Sequence, residues 1–136
     1  MPSDAEQVRD WYGEGETLWD PEMIDRWHRD IWDPDIEWRA IPGAPDDVGP
    51  MHGRDRLRRY YEEWLEVFDE IRVEARDVIQ AGEAVVVDMR VSGTSRSGVS
   101  TQIDFSIAMH VRDGRMADGR EFATHDEALA AARGSG

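Results

Sequence analysis

Two acidic residues in strand-like segments are the strongest candidates for chemistry in this chain. Asp88 lies in the alternating segment 85–91, where it shares one face with Arg90 while apolar side chains occupy the other. Glu121 lies in a later extended segment, and its neighbours on the same face are small. Two carboxyl groups in one cavity separate their pKa values, so that one acts as an acid and the other as a base. We therefore expect Asp88 to be a general base and Glu121 its acid partner.

Each carboxylate also has a structural interpretation. If the polar face of segment 85–91 is the outer one, Asp88 and Arg90 form cross-strand or dimer-interface pairs. The small residues beside Glu121 suit a close contact between two sheets as well as they suit a ligand. The choice depends on which face of each strand meets the core, and the alternation alone leaves it open.

Two further residues are candidate hydrogen-bond donors to a substrate oxygen. Tyr12 is in the first predicted helix, and His110 shares a face with the polar row 102–108, which lines a pocket or faces solvent. Aromatic side chains could form the wall of the same pocket, although aromatic residues on helices more often belong to a core. The predicted ligand-binding residues are Trp38, Tyr61, Trp64, Phe68 and Arg90.

Metal ions and organic cofactors are not expected. The chain has no Cys, and its 4 His are scattered without carboxylates at ligand spacing. The net charge of −14, from 30 acidic and 16 basic residues, repels nucleic acid and anionic membrane surfaces. No segment approaches the ~18 consecutive apolar residues of a membrane span, and the first residues lack a secretion-signal pattern. We expect a soluble cytoplasmic protein with neither nucleic acid nor membrane as a partner.

The elements that must position these residues can be predicted from caps, spacing and turns. Ser3 and Glu6 form a capping box for a first helix whose apolar spacing continues to Trp19, and Asp20-Pro21 begins a second helix. A third helix starts at Asp55. Alternating segments predict strands over 35–40, 71–80, 84–91, 100–111 and 116–123, and a last helix covers 126–132.

The order of elements, ααβαββββα, predicts an α+β fold. The late strands are joined by tight turns at 81–83 and 112–115 and by a looser hairpin, so they form antiparallel neighbours. Residues 42–53, with three Pro and three Gly, form the one long loop. Helices packed against one face of a twisted sheet leave a cone-shaped space. We expect a single domain over 1–133 and a disordered tail over 134–136.

Four short motifs resemble the SnoaL-like branch of the nuclear-transport-factor-2-like (NTF2-like) superfamily. The resemblance covers nearly the whole chain and implies a cone in which a curved mixed or antiparallel sheet wraps around three to four helices and encloses a pocket. It also implies a homodimer. The motifs are Asp33-Pro34-Asp35-Ile36-Glu37-Trp38, Met51-His52-Gly53-Arg54, Val111-Arg112-Asp113-Gly114-Arg115-Met116 and Asp126-Glu127-Ala128-Leu129.

The resemblance does not by itself choose an activity. The superfamily includes polyketide cyclases, ketosteroid isomerases, limonene epoxide hydrolases, dehydratases and non-enzymatic binding modules. The isomerase pattern matches its tyrosine at Tyr12. It places Ala40 and Ile107 where its two acidic residues stand, which argues against steroid isomerisation by that route.

The other enzyme patterns of the superfamily match the later strands. The epoxide-hydrolase pattern places its two acidic residues near Asp88 and Glu121, but Val86 stands at its arginine position, and Arg90 could substitute only if the strand shifts. Cyclases of the SnoaL-like branch use an acid near the Glu121 position with a histidine on a neighbouring strand, for which His110 is the nearest candidate.

The residues and the resemblance together predict a protein that binds a small hydrophobic or polycyclic molecule in the cone. Isomerase, cyclase or epoxide-hydrolase chemistry without a cofactor is one interpretation. A non-catalytic binding module and a dimeric interaction domain are the alternatives. Both carboxylates inside a pocket favour an enzyme, and an apolar interior favours a carrier. A pocket filled by Trp38, Trp64 and Phe68 favours an interaction domain.

Overall fold

A curved mixed sheet organises the computed structural model, which describes residues 3–41, 43 and 49–135. The described residues contribute seven strands in the order β1-β4-β5-β6-β7-β2-β3. All neighbouring strands are antiparallel except β2 and β7, which are parallel. The strands are β1 (Glu16–Leu18), β2 (Trp32–Arg39), β3 (Met51–His52), β4 (Phe68–Ala81), β5 (Ala84–Ser95), β6 (Ser100–Arg112) and β7 (Arg115–Phe122).

The helices of the described ranges begin where the sequence places their caps. The Ser3 side chain accepts a hydrogen bond from the Glu6 N–H at 3.1 Å, and the Asp20 carboxylate accepts one from the Met23 N–H at 2.9 Å. Both predicted N-caps are confirmed. The helices are α1 (Asp4–Tyr12), α2 (Pro21–Arg26), which continues as a π-helical turn (Trp27–Ile31), α3 (Arg54–Val67) and α4 (His125–Ser135).

The first helix is shorter than the apolar spacing of residues 8–19 predicts. Gly13 and Gly15 have φ values of 72° and 73°, a left-handed conformation that glycine adopts at little cost and that cannot continue a helix. The residues after them form β1, which pairs with the edge of β4. The prediction that Leu18 and Trp19 continue the first helix is therefore wrong.

The hairpins of the second half of the chain are as predicted. Asp113 and Gly114 have φ values of 54° and 76°, which give the tight connection between β6 and β7. Strands β4, β5 and β6 are 14, 12 and 13 residues long. Six residues of the predicted loop 42–53, namely 42 and 44–48, lie outside the described residues, and its end forms β3.

The two faces of the sheet carry different helices. Helices α1, α2 and α3 pack against the inner face, where Val85 and Val87 are fully buried. Helix α4 packs on the outer face, where Ala128 and Ala132 contact Val86. The fold is the expected α+β cone, but the prediction that all helices lie on one face is wrong for α4.

The last helix also extends past its predicted end. It runs through Gly134 and Ser135, which the sequence assigns to a disordered tail, and residue 136 lies outside the described residues. Within the described ranges, no helix combines the length and the apolar character needed to cross a membrane.

Candidate functional site

A cavity of about 570 Å³ opens between α3 and the long strands β4, β5 and β6. Its lining is mainly apolar, and Glu121 is the ionisable residue among the described side chains that form it. Val67 and Ile103 stand at its opening and are 58% and 51% exposed. The lining residues are Ile41, Trp64, Val67, Phe68, Ile71, Val91, Ser92, Gly93, Thr101, Ile103, Phe105 and Glu121.

A second, much smaller cavity of about 30 Å³ lies deeper in the cone. It shares Trp64, Val91 and Phe105 with the larger one, so the two spaces adjoin. A volume of this size holds a water molecule or two but not an organic ligand. Aromatic side chains fill the deep end of the cone, and the space available to a ligand is the larger cavity.

All six tryptophans of the chain belong to this aromatic filling. Trp27 is central, with ring centroids 4.8 Å from Tyr12 and 5.6 Å from Trp19. Tyr61 stacks on Trp32 at 5.6 Å with an interplanar angle of 10°. Offset and edge-to-face ring pairs add about 0.5–1.5 kcal/mol each beyond their buried area, so this cluster is a rigid wall.

Glu121 lies on the inner face of β7 and is only 4% exposed. The Trp38 indole N–H donates to its Oε2 at 2.9 Å. The Trp38 ring can reach this position because Gly119, two residues earlier in β7, has no side chain where the ring packs. A hydrogen bond to a charged group is shorter and stronger than a neutral one, so Trp38 fixes the orientation of the carboxyl group.

Tyr12 is the second polar group of the inner wall. Burial of the phenol, together with the negative charge of Glu121, raises the pKa of Tyr12 above its usual range. The hydroxyl therefore stays protonated at any ordinary pH and remains able to donate a hydrogen bond. It lines the small deep cavity and not the large one, and its role as a donor to a substrate oxygen stays a prediction.

Asp88 does not share this cavity. In the β5–β6 register Val87 lies opposite Ile107, which lies opposite Glu121, whereas Asp88 lies opposite Ser106 on the other face. The expectation that Asp88 and Glu121 form an acid–base pair in one cavity is wrong, because adjacent strand residues point to opposite faces.

On the outer face Asp88 is held by two neighbours. Ser106 donates its hydroxyl hydrogen to Oδ1 at 2.7 Å, and His125 Nδ1 lies 2.8 Å from the same oxygen. His125 is the first residue of α4, so this cluster joins the helix to the sheet. The hydrogen bond to Asp88 raises the pKa of His125, despite an opposing effect of desolvation.

Two other predicted site residues also lie on the outer face. Arg90 binds Asp104 through two hydrogen bonds of 2.8 and 3.0 Å. His110 Nδ1 lies 2.9 Å from an Asp118 oxygen. Neither Arg90 nor His110 lines the cavities of the cone, because both alternate with inward-facing neighbours in their strands. The expectation that they meet a ligand beside Glu121 is therefore wrong.

The predicted aromatic residues do meet at the cone interior. Trp38 and Tyr61 line the deep cavity, Phe68 lines the large one, and Trp64 lines both. Tyr60, which the sequence also offers as an aromatic residue of the pocket wall, is 2% exposed and packs against Tyr61 and Trp64 without lining either cavity.

The deep wall also contains residues that the site prediction omitted. Trp19, Trp27 and Trp32 line the small cavity. The indole N–H groups of Trp19 and Trp27 are buried and have no hydrogen-bond partner among the described residues. The signal was present in the sequence, because all six Trp precede residue 65. In the described part of the chain, no three His, Asp or Glu side chains are placed to hold a metal ion.

The family of the chain follows from a match over most of its length. Residues 8–119 match the family model of the SnoaL-like domain. The chain therefore belongs to the SnoaL-like domain family, within the NTF2-like fold. No curated protein matches it significantly.

Solved structures show the same fold at low sequence identity. An NTF2-like protein from Burkholderia thailandensis E264 is 25% identical, with 97% of this chain and 98% of the other covered and a TM-score of 0.72. TerC, co-crystallized with polyporic acid, is 22% identical over 78% of this chain and 82% of its own, with a TM-score of 0.64.

A third structure shares the fold at lower identity still. It is a protein with a ketosteroid-isomerase-like fold from Catenulispora acidiphila DSM 44928, in complex with trimethylamine. The two are 12% identical over 92% of this chain and 90% of the other, with a TM-score of 0.65.

Proposed function

We propose that this SnoaL-like protein binds a small, mainly apolar molecule in the cavity between α3 and the long strands. The observation that carries the proposal is a space of about 570 Å³ with an apolar lining and one buried carboxyl group. Ligand sites are typically cavities of about 300–1,000 Å³ that combine an apolar wall with a few oriented polar groups. The size of the space suits a molecule of two or three fused rings.

The structural relatives support a small-molecule function for this fold. TerC was crystallized with polyporic acid, and the Catenulispora protein was crystallized with trimethylamine. These compounds differ in size and in acid–base character. The fold therefore supports small-molecule binding in general, and the nature of the ligand has to be inferred from the lining of this particular cavity.

Binding can be tested with the neutral fluorescent probe N-phenyl-1-naphthylamine. Thr101 lines the cavity, while the next residue of β6, Gln102, points to the other face. Thr101→Trp should reduce the affinity for the probe at least about tenfold by occupying the space, because strand neighbours face opposite sides. Gln102→Trp is the matched control and should leave the affinity unchanged. Equal effects of the two substitutions, or no binding by the unmodified protein, would refute the proposal.

A second candidate function is proton transfer by Glu121. The observation that favours it is the Trp38–Glu121 hydrogen bond, which fixes a carboxyl group in an apolar wall within electrostatic range of a protonated Tyr12 hydroxyl. Glu121 lines the large cavity, so its carboxylate could take a proton from a carbon next to the ketone of a bound molecule and return it. Tyr12 lines the small deep cavity rather than the large one, so it is not assigned a contact with the ketone oxygen. Asp88 takes no part, since it lies on the other face of the sheet.

This second candidate can be tested by hydrogen–deuterium exchange of 2-tetralone in D₂O, followed by NMR. The protein should accelerate exchange at the carbon next to the carbonyl, and Glu121→Gln should remove the acceleration because an amide does not accept the proton. Asp88→Asn should not change the rate. Exchange at the buffer rate in the unmodified protein would leave the binding function alone standing.

The homodimer stays a proposal. The part of the outer face that α4 leaves uncovered carries charged side chains, including the Arg90–Asp104 pair. A dimer formed there would depend on polar contacts and would weaken at high salt. Sedimentation equilibrium at low and high salt would measure this directly, and a monomer under both conditions would contradict the proposal.

A further inference from the structure

The ionisable groups in the lining of the large cavity narrow the class of ligand more than its apolar groups do. Each described side chain that lines the large cavity is apolar, aromatic, a small hydroxyl or glycine, with Glu121 as the ionisable exception. The 16 basic residues of the chain contribute none of these lining groups. The whole chain carries a formal charge of −14, so the potential around the opening is negative as well.

We propose that the ligand of this cavity is an organic cation, an apolar body that carries a positively charged amine, and that the amine lies against Glu121. This inference rests on the binding function proposed above and adds the chemical class of the ligand. It predicts that the cavity binds amines and quaternary ammonium compounds more tightly than neutral or acidic molecules of the same shape.

The first support is the position of the Glu121 carboxyl group. It is 4% exposed and lines the cavity, and Trp38 holds its Oε2 from the side of the deep wall. A neutral ligand that enters the cavity takes water away from the carboxylate and offers it nothing in return, which costs free energy. A cationic group offsets that loss through a charge–charge interaction that is stronger in an apolar cavity than in water.

The second support is the set of aromatic side chains that share the cavity with that carboxyl group. Trp64, Phe68 and Phe105 line the same cavity as Glu121. A cation placed over an aromatic ring face is attracted by the ring quadrupole, most strongly for Trp, and ligands with quaternary ammonium groups are recognised in this way. An acidic side chain and aromatic rings around one space are the two features that such recognition requires.

The hydrogen-bond donors of the deep wall do not oppose this inference. The indole N–H groups of Trp19 and Trp27 would favour an acceptor or an anion, but both residues line the small deep cavity and not the large one. Tyr12 likewise lines the deep cavity. The large cavity has the Glu121 carboxyl group, the rings of Trp64, Phe68 and Phe105, and the small hydroxyls of Ser92 and Thr101 in its lining.

The experiment compares two molecules of the same shape and different charge. Benzoylcholine carries a quaternary nitrogen where 3,3-dimethylbutyl benzoate carries a carbon atom. By calorimetric titration, the cation should bind at least about tenfold more tightly than the neutral ester, since a cation–π contact and a paired charge together exceed 1.4 kcal/mol. The preference should persist at 0.5 M salt, because a buried pair is screened much less than exposed charges.

Three variants locate the source of the preference. Glu121→Gln should bring the two affinities within about threefold of each other while leaving Trp38 an acceptor for its N–H. Glu83→Gln removes the same charge from the exposed β4–β5 turn and should leave the preference intact. Trp64→Leu should reduce the preference several-fold while Glu121 remains, and it provides an independent test if Glu121→Gln fails to fold.

The outcomes separate this inference from the binding function. Equal affinity for the two esters in the unmodified protein overturns the cation proposal and leaves the apolar binding function standing. The cation proposal is also overturned if the preference for the cation survives both Glu121→Gln and Trp64→Leu, or if it vanishes at 0.5 M salt. In either case the long-range charge of the protein would be the cause of the preference. Failure to bind either ester or the naphthylamine probe refutes both proposals.

Discussion

The inner and outer faces of β5 and β6 differ sharply although they are built from alternating residues of the same two strands. On the inner face Val87 and Ile107 pack beneath the aromatic cluster, and Glu121 is the buried acid beside them. On the outer face Asp88 and Ser106 form a hydrogen-bonded cluster with the first residue of α4. An acidic side chain is thus a candidate binding group on one face and a structural tether on the other.

This comparison shows that the residue type alone did not assign a role to the acids of this chain. Glu121 and Asp88 are both acidic residues in the central strands, and both have a defined hydrogen-bond partner. Their roles differ because the cavity and the tryptophans lie on one side of the sheet and α4 lies on the other. The following substitutions test the difference, from the largest expected effect to the smallest.

Gly119→Ala should destabilise the protein most. The added Cβ would lie 2.9 Å from Cη2 of Trp38 and even closer to two other atoms of the same ring. Trp38 is 3% exposed and its indole is held by Glu121, so the ring has little room to move. We expect a loss of about 2–3 kcal/mol in the free energy of unfolding, measured by urea denaturation.

The matched control for that substitution is Gly134→Ala. A Cβ added there meets no atom within 4 Å, so the urea midpoint should stay close to that of the unmodified protein. If Gly119→Ala also leaves the midpoint unchanged, the tight packing between β7 and the Trp38 ring is not a constraint on the inner face.

Trp38→Phe should cost about 2 kcal/mol, because it removes a donor to a buried charged group and leaves part of the indole volume empty. Glu121→Gln should cost less, since the amide oxygen still accepts from the indole N–H. A double-mutant cycle of the two should give a coupling free energy of about 1 kcal/mol. Because Gln keeps an acceptor for the indole N–H, the coupling measures what the charge of Glu121 adds to the bond, and a coupling near zero would mean that the charge adds nothing to the stability.

Asp88→Asn should change the pH dependence of stability rather than ligand binding. The folded-state pKa of His125 is raised by Asp88, so the stabilisation is complete below the unfolded pKa of histidine and is lost as the pH rises through the folded pKa. The side chain of His125 is 34% exposed, so solvent screening limits this contribution to less than about 1 kcal/mol.

The measurement is an NMR titration of His125 together with urea unfolding at pH 5 and pH 8. In Asp88→Asn the His125 pKa should fall, and the extra stability at pH 5 should shrink. Affinity for the naphthylamine probe should not change, since Asp88 lies outside the cone. An unshifted His125 pKa would show that the contact between α4 and the sheet is not electrostatic.

Arg90→Ala should have the smallest effect. Its side chain is 30% exposed and pairs with Asp104 on the outer face, and such surface pairs contribute little. Both the urea midpoint and the affinity for the naphthylamine probe should match those of the unmodified protein within error. A loss of probe binding would place Arg90 at the ligand after all and would contradict the separation of the two faces.

The sequence predicts the local elements of this fold well, because their signals are local. The N-caps Ser3 and Asp20 and the Asp113-Gly114 turn each specify their own backbone within a few residues. The end of α1 was harder to predict from the sequence, because the apolar spacing typical of a helix continues past Gly13. The strand β1 forms only because β4 offers a free edge far away in the chain.

The face occupied by Asp88 could not be predicted, because apolar residues lie on both sides of β5. Val86 and Val87 are both fully buried, one beneath α4 and the other beneath the inner helices. Alternation of apolar and polar residues identifies the core face of a strand only where the opposite face is exposed to solvent. The pairing of Trp38 with Glu121 joins residues 83 positions apart through a parallel strand contact, and only Gly119 in the sequence hinted at the space it needs.

All six tryptophans lie in one connected cluster, so the intrinsic fluorescence of the protein comes from a single region of the cone. The tryptophans and tyrosines form one connected cluster, with ring centroids 6.3 Å apart for Trp11 and Trp27 and 5.5 Å apart for Tyr61 and Trp64. At these separations excitation energy passes from the tyrosines to the tryptophans and among the tryptophans before emission. Trp64 lines both cavities, so a molecule that enters the cone changes the environment of one of these emitting rings. The emission spectrum and the near-ultraviolet circular dichroism of the unlabelled chain should therefore register occupancy of the cavity without an added dye.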